Sequence, residues 1–401
     1  KRHLRSAAGY LAVCAKWLVL AALVGCVVGP LGGAFGLALN WANATRGAHS
    51  WLLYLLPVAG LVIVFLYHRF DPDGGGSTNQ IFVSVREHKP LTLRTAPLIF
   101  VSSGREGAAL LLGGSVSGQL GRALRLENRD CRLMTMCGMA AGFAALFGTP
   151  LTSVIFAMEV ITVGVMHYSA IVPCIISALV AAGLSQAVGI APTTFSIAHI
   201  PTAVGLENCF RAAVLGVLCA VLSVLFCIVM EHVGGAYRRL FKNPFVRVFC
   251  GGCIVIAATY LVGCRDYNGA GMNIITQALQ GDAKAEAFLL KILFTALTLG
   301  AGFKGGEIVP SFFIGATFGC VAGPLLGLSA PFAASLGMAA VFCGVTNCPL
   351  ASIMLCIEVF GVHGMAYYAL CCAVSYMLSG YYGLYTEQKI MYSKVEPEFI
   401  N

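Results

Sequence analysis

Apolar residues fall into runs of two kinds along the chain, and the difference between them predicts the architecture. Some runs approach or exceed the roughly 20 residues that a membrane-spanning helix needs. These longer runs are Ala7–Leu39, Trp51–Tyr67, Ala212–Met230 and Val248–Cys264. Others are shorter and interrupted by glycine, proline or charge: Ala108–Leu120, Met134–Phe147, Leu151–Val165 and Ile308–Leu326. Such segments indicate tilted and discontinuous membrane helices rather than a bundle of straight ones.

The composition supports a membrane protein and excludes most soluble classes. Of the 401 residues, 58% are hydrophobic and 10% are charged, whereas globular proteins carry about 25% charged residues. Most of the 17 cysteines lie inside apolar runs, where cysteine acts as a small hydrophobic side chain, and their spacing matches no zinc site. We therefore predict a multi-pass protein in a lipid bilayer, with no metal, no cofactor and no nucleic-acid partner.

Basic residues stand where they would fix the orientation of the chain. The net charge is +8, and Lys1, Arg2 and Arg5 precede the first apolar run. The positive-inside rule then predicts a cytoplasmic N-terminus. A second basic segment, 231–247, is also expected to be cytoplasmic, and it divides the chain into residues 1–230, a connector at 231–247, and residues 248–401.

Stretches in the two halves of the chain share a spacing that indicates an internal duplication. Pro150–Val160 and Pro349–Val359 both read Pro-Leu-x-Ser, continue with apolar residues and end in Glu-Val. Upstream, GREG at Gly104–Gly107 pairs with GGEI at Gly305–Ile308, and the two glutamates of each half are 53 and 51 residues apart. If each copy has an odd number of spans, the copies insert in opposite directions, and the binding site lies between them at the midplane.

Glycine-rich starts of three short helices predict an anion site between the halves. They are Gly74–Asn79, Gly104–Gly107 and Gly305–Ile308. A helix that begins inside the membrane leaves its first N–H groups without intrahelical partners and carries a partial positive charge there. Several such ends can hold an anion together without a fixed cation. An intramembrane enzyme is not expected, because H-E-x-x-H does not occur and GSVSG at Gly114–Gly118 has serine in place of the first glycine of a G-x-S-G nucleophile site.

The same motifs resemble those of the CLC chloride channels and transporters. GREG, followed by Leu112-Gly113-Gly114, looks like the family's G-[KR]-E-x motif, and GGEIVP at Gly305–Pro310 is similar to its G-x-F-x-P segment. The Pro-Leu stretches that end in Glu159 and Glu358 resemble its two symmetric helices. The resemblance implies an all-α polytopic membrane fold, an inverted-topology repeat of tilted and broken helices, and a homodimer with one pore in each protomer.

The first anion-binding motif departs from the family pattern. Where the family usually has G-S-G-I-P, this chain reads GGSTNQI, so which of Gly76, Ser77 and Thr78 faces the ion stays open. Ser77, Thr78 and Asn79 offer more hydrogen-bond donors than the usual motif does. Fluoride is small and strongly hydrated, and hydroxyl and amide donors can replace its water.

Two further departures concern proton-handling groups. Val160 stands where chloride/proton antiporters of the family have a proton-transfer glutamate, and Glu307 precedes Ile308, which takes the place of the phenylalanine in G-x-F-x-P. The combination resembles the fluoride-specific bacterial branch, which implies export of fluoride in exchange for protons across the inner cell membrane. The alternative is a chloride/proton antiporter or a chloride channel of the same family.

Glu106 and Glu307 are the acidic candidates for the site. The resemblance places the gating glutamate at Glu106. Its carboxylate is an anion tethered beside an anion site, so it would block the site until protonation removes it, which links anion movement to proton movement. Glu307 either is protonated and donates a hydrogen bond to the ion, or forms a salt bridge with Lys304.

Other residues complete the predicted site. Gly104 and Gly107 supply backbone at the first helix start, and Arg105 is expected to anchor that loop. Tyr385 looks like the family's late tyrosine that contacts the central ion, although Tyr381 and Tyr382 leave the register open.

Four further side chains are assigned on sequence alone. Phe312 and Phe313 either present positive ring edges to the anion or pack in the core. Glu159 and Glu358 are symmetry-related, so we expect both to have the same structural role in helix packing or capping. Ala96–Ser103 is shorter than the corresponding helix of the family, and we expect that a flexible piece is absent from the sequence there.

Overall fold

The computed structural model describes residues 7–70, 78–87, 98, 104–201 and 203–400, and these residues are predominantly helical. The helices are α1 (Ala7–Ala48), α2 (Leu56–Phe70), α3 (Thr78–Glu87), α4 (Arg105–Ala123), α5 (Asn128–Phe147), α6 (Pro150–Glu159), α7 (Ile171–Ala187), α8 (Leu206–Leu240), α9 (Pro244–Val262), α10 (Met272–Leu279), α11 (Ala287–Gly300), α12 (Ile308–Leu325), α13 (Ala330–Thr346), α14 (Pro349–Phe360) and α15 (Met365–Leu378). Short 3-10 turns cover Ser50–Leu55 and Tyr168–Ala170. Strands β1 (Thr162–Val163) and β2 (Lys389–Ile390) pair in parallel.

Helix lengths confirm the predicted mixture of full and partial spans. Within the described ranges, seven helical segments are long and apolar enough to cross a membrane. The apolar helices α6, α11, α13, α14 and α15 have only 10–17 residues. Of these, only α6 lies in a segment predicted to be short, Leu151–Val165; the predicted short segments Met134–Phe147 and Ile308–Leu326 belong to α5 and α12, which are long enough to cross a membrane.

Helices of the two halves pack in the same order. In the first half, α4 and α5 form a tightly packed hairpin, α5 lies against α7, and α1 lies against both α5 and α7. In the second half, α12 and α13 form the equivalent hairpin, α13 lies against α15, and α8 lies against both α13 and α15. The internal duplication predicted from the sequence therefore extends to the structure, because equivalent helices in the two halves pack against equivalent neighbours.

Both hairpins depend on glycine at equivalent positions. A Cβ atom on Gly113 of α4 would overlap the carbonyl oxygen of Gly138 and lie 2.8 Å from its carbonyl carbon. A Cβ atom on Gly315 of α12 would meet Gly337 in the same way, also 2.8 Å from the carbonyl carbon. Because small residues let helix backbones approach closely in membranes, these glycines set the spacing of each hairpin.

Each hairpin is followed by the same chain reversal. Helix α5 ends at Gly148 and α13 ends at Asn347, and both residues adopt the left-handed conformation, with φ of 68° and 59°. Glycine and asparagine are the residues that tolerate this conformation at a helix C-terminus. Pro150 and Pro349 then occupy the first turn of α6 and α14, where the missing N–H costs nothing.

The two halves are joined by reciprocal caps between α6 and α14. Glu159, at the end of α6, accepts hydrogen bonds from the backbone N–H groups of Leu350 and Ala351 at 3.1 and 2.9 Å. Glu358, near the end of α14, accepts the equivalent bonds from the start of α6 at 2.9 and 2.8 Å. The pair is antiparallel and two-fold, as an inverted repeat requires, and the predicted capping role of both glutamates is confirmed.

The basic segment 231–247 is mostly helical. Residues 231–240 are the last turns of α8, and residues 244–247 are the first turn of α9, so the chain passes between these helices through residues 241–243. Asn243 caps α9 by accepting a hydrogen bond from the N–H of Phe245 at 2.9 Å. The division of the chain at this segment stays a prediction.

Candidate functional site

The starts of α4 and α12 lie against each other between the two halves. Gly104 is the N-cap of α4. A Cβ atom on Gly104 would overlap the amide nitrogen of Gly306 and lie 2.7 Å from the carbonyl carbon of Gly305. Only a chain without side chains at this point lets the backbones come so close, which explains the glycines in both motifs.

Both helices begin at this contact, so their first backbone N–H groups lie close to it. In α4 the first backbone hydrogen bond is donated by Ala108 to Gly104 (3.3 Å), and in α12 it is donated by Ser311 to Glu307 (3.1 Å). The N–H groups that precede these donors have no carbonyl partner within their own helix. Together with the partial positive charge of each helix N-terminus, they form an environment suited to an anion.

Tyr385 lies in the core, and the structure distinguishes it from its neighbours. Tyr385 is 6% exposed, whereas Tyr381 and Tyr382 are 57% and 46% exposed. Its ring packs edge to face on Phe82 of α3, with ring centroids 5.2 Å apart. Phe82 is fully buried. Sequence reasoning missed Phe82, although an aromatic residue one turn after a glycine-rich helix start was a usable signal.

Helix α3 is fastened to the segment that carries Tyr385. The side-chain amide of Asn79 donates to Thr386 Oγ1 at 3.0 Å, and its oxygen accepts from the N–H of Glu387 at 3.4 Å. Arg86 donates to the carbonyl oxygen of Glu387 at 2.7 Å. Asn79, predicted as an anion donor, therefore makes its contacts with the Tyr385 segment.

Several predicted site residues fall outside the description. Gly76 and Ser77 lie outside the described residues, and so do the side chains of Thr78, at the start of α3, and of Arg105 and Glu106, at the start of α4. The backbone places Glu106 in the first turn of α4, two residues after Gly104, and Gly107 is half-buried in the same turn.

Glu307 occupies the start of α12. It is the N-cap residue, partly buried, and the following Ile308 is 1% exposed. The thiol of Cys227 in α8 lies within electrostatic range of Glu307. Lys304, the predicted alternative partner, lies with its ammonium 4.9 Å from the ring centre of Tyr67.

The two phenylalanines of α12 pack against other helices. Phe312 meets Phe342 of α13 edge to face at 5.1 Å and lines a small apolar cavity. Phe313 is fully buried beside Tyr267, with the ammonium of Lys291 4.9 Å from its ring centre. These contacts support the packing interpretation of both rings.

Val160, at the predicted position of the family's second glutamate, is fully buried at the end of α6. Its carbonyl oxygen accepts a hydrogen bond of 2.9 Å from the side chain of Gln388. Asn347 and Lys394 continue this polar contact. Sequence reasoning missed all three residues, because they are distant in sequence and none belongs to a motif.

Known proteins match the chain over most of its length. A family model described as voltage gated chloride channel matches residues 59–380. A chloride/fluoride channel protein of Pseudomonas syringae pv. tomato (strain ATCC BAA-871 / DC3000) is 35% identical over 397 residues, covering 95% of this chain and 88% of that protein. The H(+)/Cl(-) exchange transporter ClcA of Vibrio vulnificus (strain YJ016) is 28% identical over 381 residues, covering 85% of this chain and 81% of the transporter.

Solved structures match as well. A CLC-type fluoride/proton antiporter has a TM-score of 0.90 and 29% identity, over 96% of this chain and 100% of the antiporter chain. A slow cyanobacterial Cl-/H+ antiporter has a TM-score of 0.78 and 23% identity, over 91% of this chain and 94% of its own, which shows the shared fold.

Proposed function

Because the chain belongs to the voltage gated chloride channel family, we propose that it is a secondary transporter that exports fluoride in exchange for protons. The observation that carries the proposal is the carboxyl group of Glu307 at the start of α12, where two glycine-rich helix starts meet. A carboxyl group that shares a site with an anion is favoured in its protonated form, and it then donates a hydrogen bond. Fluoride, a small and strongly basic halide, gains most from such a donor.

Glu106 acts as gate and proton carrier in this proposal. It lies in the first turn of α4, next to the meeting point of the helix starts. Its carboxylate competes with the transported anion, and a proton on it admits the anion. Fluoride and protons then cannot pass independently. Fluoride enters the site only when Glu106 is protonated, and Glu106 returns to the site only after it has lost its proton.

Relatives support the same substrate. The 35% identical relative is described as a chloride/fluoride channel protein, and the structure with a TM-score of 0.90 is a fluoride/proton antiporter. Chloride/proton exchange is the second candidate, favoured by the exchange transporter ClcA of Vibrio vulnificus. We propose further that the protein forms a homodimer with one pore per protomer, in the inner cell membrane with a cytoplasmic N-terminus.

The decisive experiment measures anion and proton flux in proteoliposomes that contain the purified protein. Wild type should take up protons as fluoride leaves, and Glu106→Gln, which mimics the protonated gate, should release fluoride without proton movement. Glu127→Gln, an exposed residue at the start of α5, is the matched control and should behave as wild type.

Two results would count against this function. Wild type that moves chloride but not fluoride would establish the second candidate instead. Proton movement against an anion gradient by the Glu106→Gln protein would remove the gating role from this residue.

A further inference from the structure

The C-terminal ends of three helices surround the segment that follows α15. Val160 ends α6, Asn347 ends α13 and Ser379 ends α15. Gln388 from the segment donates to the carbonyl oxygens of Val160 and Thr346 at 2.9 and 2.8 Å. Helix C-termini carry partial negative charge, so this place favours donors and cations, as the helix starts at the anion site favour anions.

Lys394 supplies the cation at this place. Its ammonium donates to Asn347 Oδ1 at 2.5 Å, to Ser379 Oγ at 3.1 Å and to the carbonyl oxygen of Tyr376 at 3.1 Å. It also lies 4.5 Å from the ring centre of Tyr376. No carboxylate of the described residues forms an ion pair with it. A partly buried lysine whose hydrogen-bond partners are all neutral loses its proton more easily than a lysine in water.

The contacts of Lys394 continue toward Val160. Asn347, which accepts from Lys394, donates its own amide to Gln388 Oε1 at 3.1 Å, and Gln388 reaches the Val160 carbonyl. This polar chain ends where other family members carry a proton-transfer glutamate. Lys394 is connected to this region through Asn347 and Gln388, so a titratable group is present there although Val160 cannot carry a proton.

Lys394 lies beside an open cleft of about 660 Å³, which is lined by its chain neighbours Ser393 and Val395. Glu307 and Lys394 also share a neighbour, because both charged groups act electrostatically on the thiol of Cys227.

Several titratable groups lie around Lys394. The thiols of Cys227 in α8, Cys343 in α13 and Cys348 before α14 interact with its ammonium electrostatically, and the ring of Tyr376 in α15 lies beneath it. Glu159 of α6 interacts with Cys348 and caps α14, and Glu396 and Glu398 line the neighbouring cleft.

We propose that Lys394 is the second proton-transfer group of the transporter, between Glu307 and the cleft. The inference rests on the proposed exchange of fluoride for protons. The neutral amine of Lys394 takes a proton from the carboxyl group of Glu307, directly or through water, which leaves a carboxylate and an ammonium. The ammonium then releases the proton to water in the cleft and returns to the neutral amine. Asn347 and Gln388 hold the side chain in place.

Flux measurements on variants of Lys394 in proteoliposomes test the proposal. General acid and base groups typically contribute 10²–10⁴-fold to proton transfer, so Lys394→Met should slow proton-coupled fluoride exchange about 100-fold or more. Lys394→Arg should slow it as well, because arginine keeps the charge and the donors but does not release its proton. Lys389→Met, in the same segment and exposed, should exchange as wild type.

A second background separates proton transfer from attraction of the anion. In Glu106→Gln protein, which is expected to carry fluoride without protons, adding Lys394→Met should leave fluoride flux unchanged. Slower flux there would show that Lys394 attracts the anion, and wild-type exchange by Lys394→Arg would show that only its charge matters; either result overturns the proposal. Lys394→Arg decides the question if the methionine variant does not fold.

The outcome distinguishes this inference from the function on which it rests. Wild type that does not couple fluoride to protons overturns both. Coupled wild type, together with Lys394 variants that exchange at the wild-type rate, overturns this inference alone.

Discussion

Thr152 and Glu358 should be strongly coupled in stability, because one side chain completes the cap that the other provides. Glu358 accepts hydrogen bonds from the N–H groups of Leu151 and Thr152, and in addition from Thr152 Oγ1 at 2.6 Å. A hydrogen bond to a charged group contributes about 1.5–3 kcal/mol. Thr152→Val removes only the hydroxyl bond and should therefore lower the free energy of unfolding by about 1.5–3 kcal/mol.

A double-mutant cycle isolates this bond. Glu358→Ala removes all three bonds of this half-buried carboxylate and should therefore cost more than Thr152→Val, about 3 kcal/mol or more. Thr152→Val should then add almost nothing in the Glu358→Ala background. In a Glu159→Ala background it should keep its full cost, because Glu159 caps the other helix.

Unfolding of the purified protein by SDS in mixed micelles gives the four free energies of the cycle. Additive costs of Thr152→Val and Glu358→Ala would show that the hydroxyl bond is absent in the folded protein, and the capping argument would fail with it. Glu358→Gln reports on function, since a capping glutamate that carries no proton should leave the ratio of exchanged ions unchanged.

The remaining predictions concern the polar chain around Lys394. Asn347→Gly should keep the left-handed turn, because Gly148 adopts it at the equivalent position, but it removes the hydrogen bond to Gln388. Proton-coupled exchange should slow, though less than in Lys394→Met. An unchanged exchange rate would show that this hydrogen bond has no role in proton transfer. Burial lowers the pKa of Lys394 from 10.5 to about 8. The unfolded chain therefore binds more protons between these pH values, so the free energy of unfolding relative to Lys394→Met should fall as pH drops from 10.5 to 8 and then stay level. Unfolding midpoints of both proteins across this range test the prediction. A difference between the two midpoints that does not change with pH would contradict it.

The sequence predicted the fold well because the signals for it are local. Run lengths, glycine and proline predicted a mixture of full and interrupted helices, although not which of them are short, and the spacing of Glu106 and Glu159 against Glu307 and Glu358 predicted the repeat. The caps followed from that symmetry, since a residue that recurs in both copies has the same surroundings twice.

The polar chain behind Val160 was not predictable in the same way. Val160, Asn347 and Lys394 come from three distant parts of the sequence, and only tertiary packing brings them together. The absence of an acid at Val160 was visible, but what stands in its place is set by the path of the C-terminal segment. From the sequence alone, Lys394 is expected to lie at the surface, because nothing in its neighbourhood along the chain indicates the partners that it contacts.

The surroundings of Val160 depart from the symmetry of the inverted repeat, so they differ from the equivalent surroundings of Val359. On one side, the carbonyl oxygens of Phe147 in the first half and Val359 in the second accept hydrogen bonds from the backbone N–H groups of Thr193 and Phe195, at 3.1 and 2.8 Å. An apolar cavity lies on that side, and Phe147, Phe195 and Val359 are among the residues that line it. On the other side, the equivalent carbonyl oxygens of Val160 and Thr346 accept hydrogen bonds from Gln388, close to the partly buried Lys394. A symmetric scaffold with a titratable group on one side only can give protons a route that the anion does not share, because no titratable side chain lines the cavity on the other side in the described part of the chain.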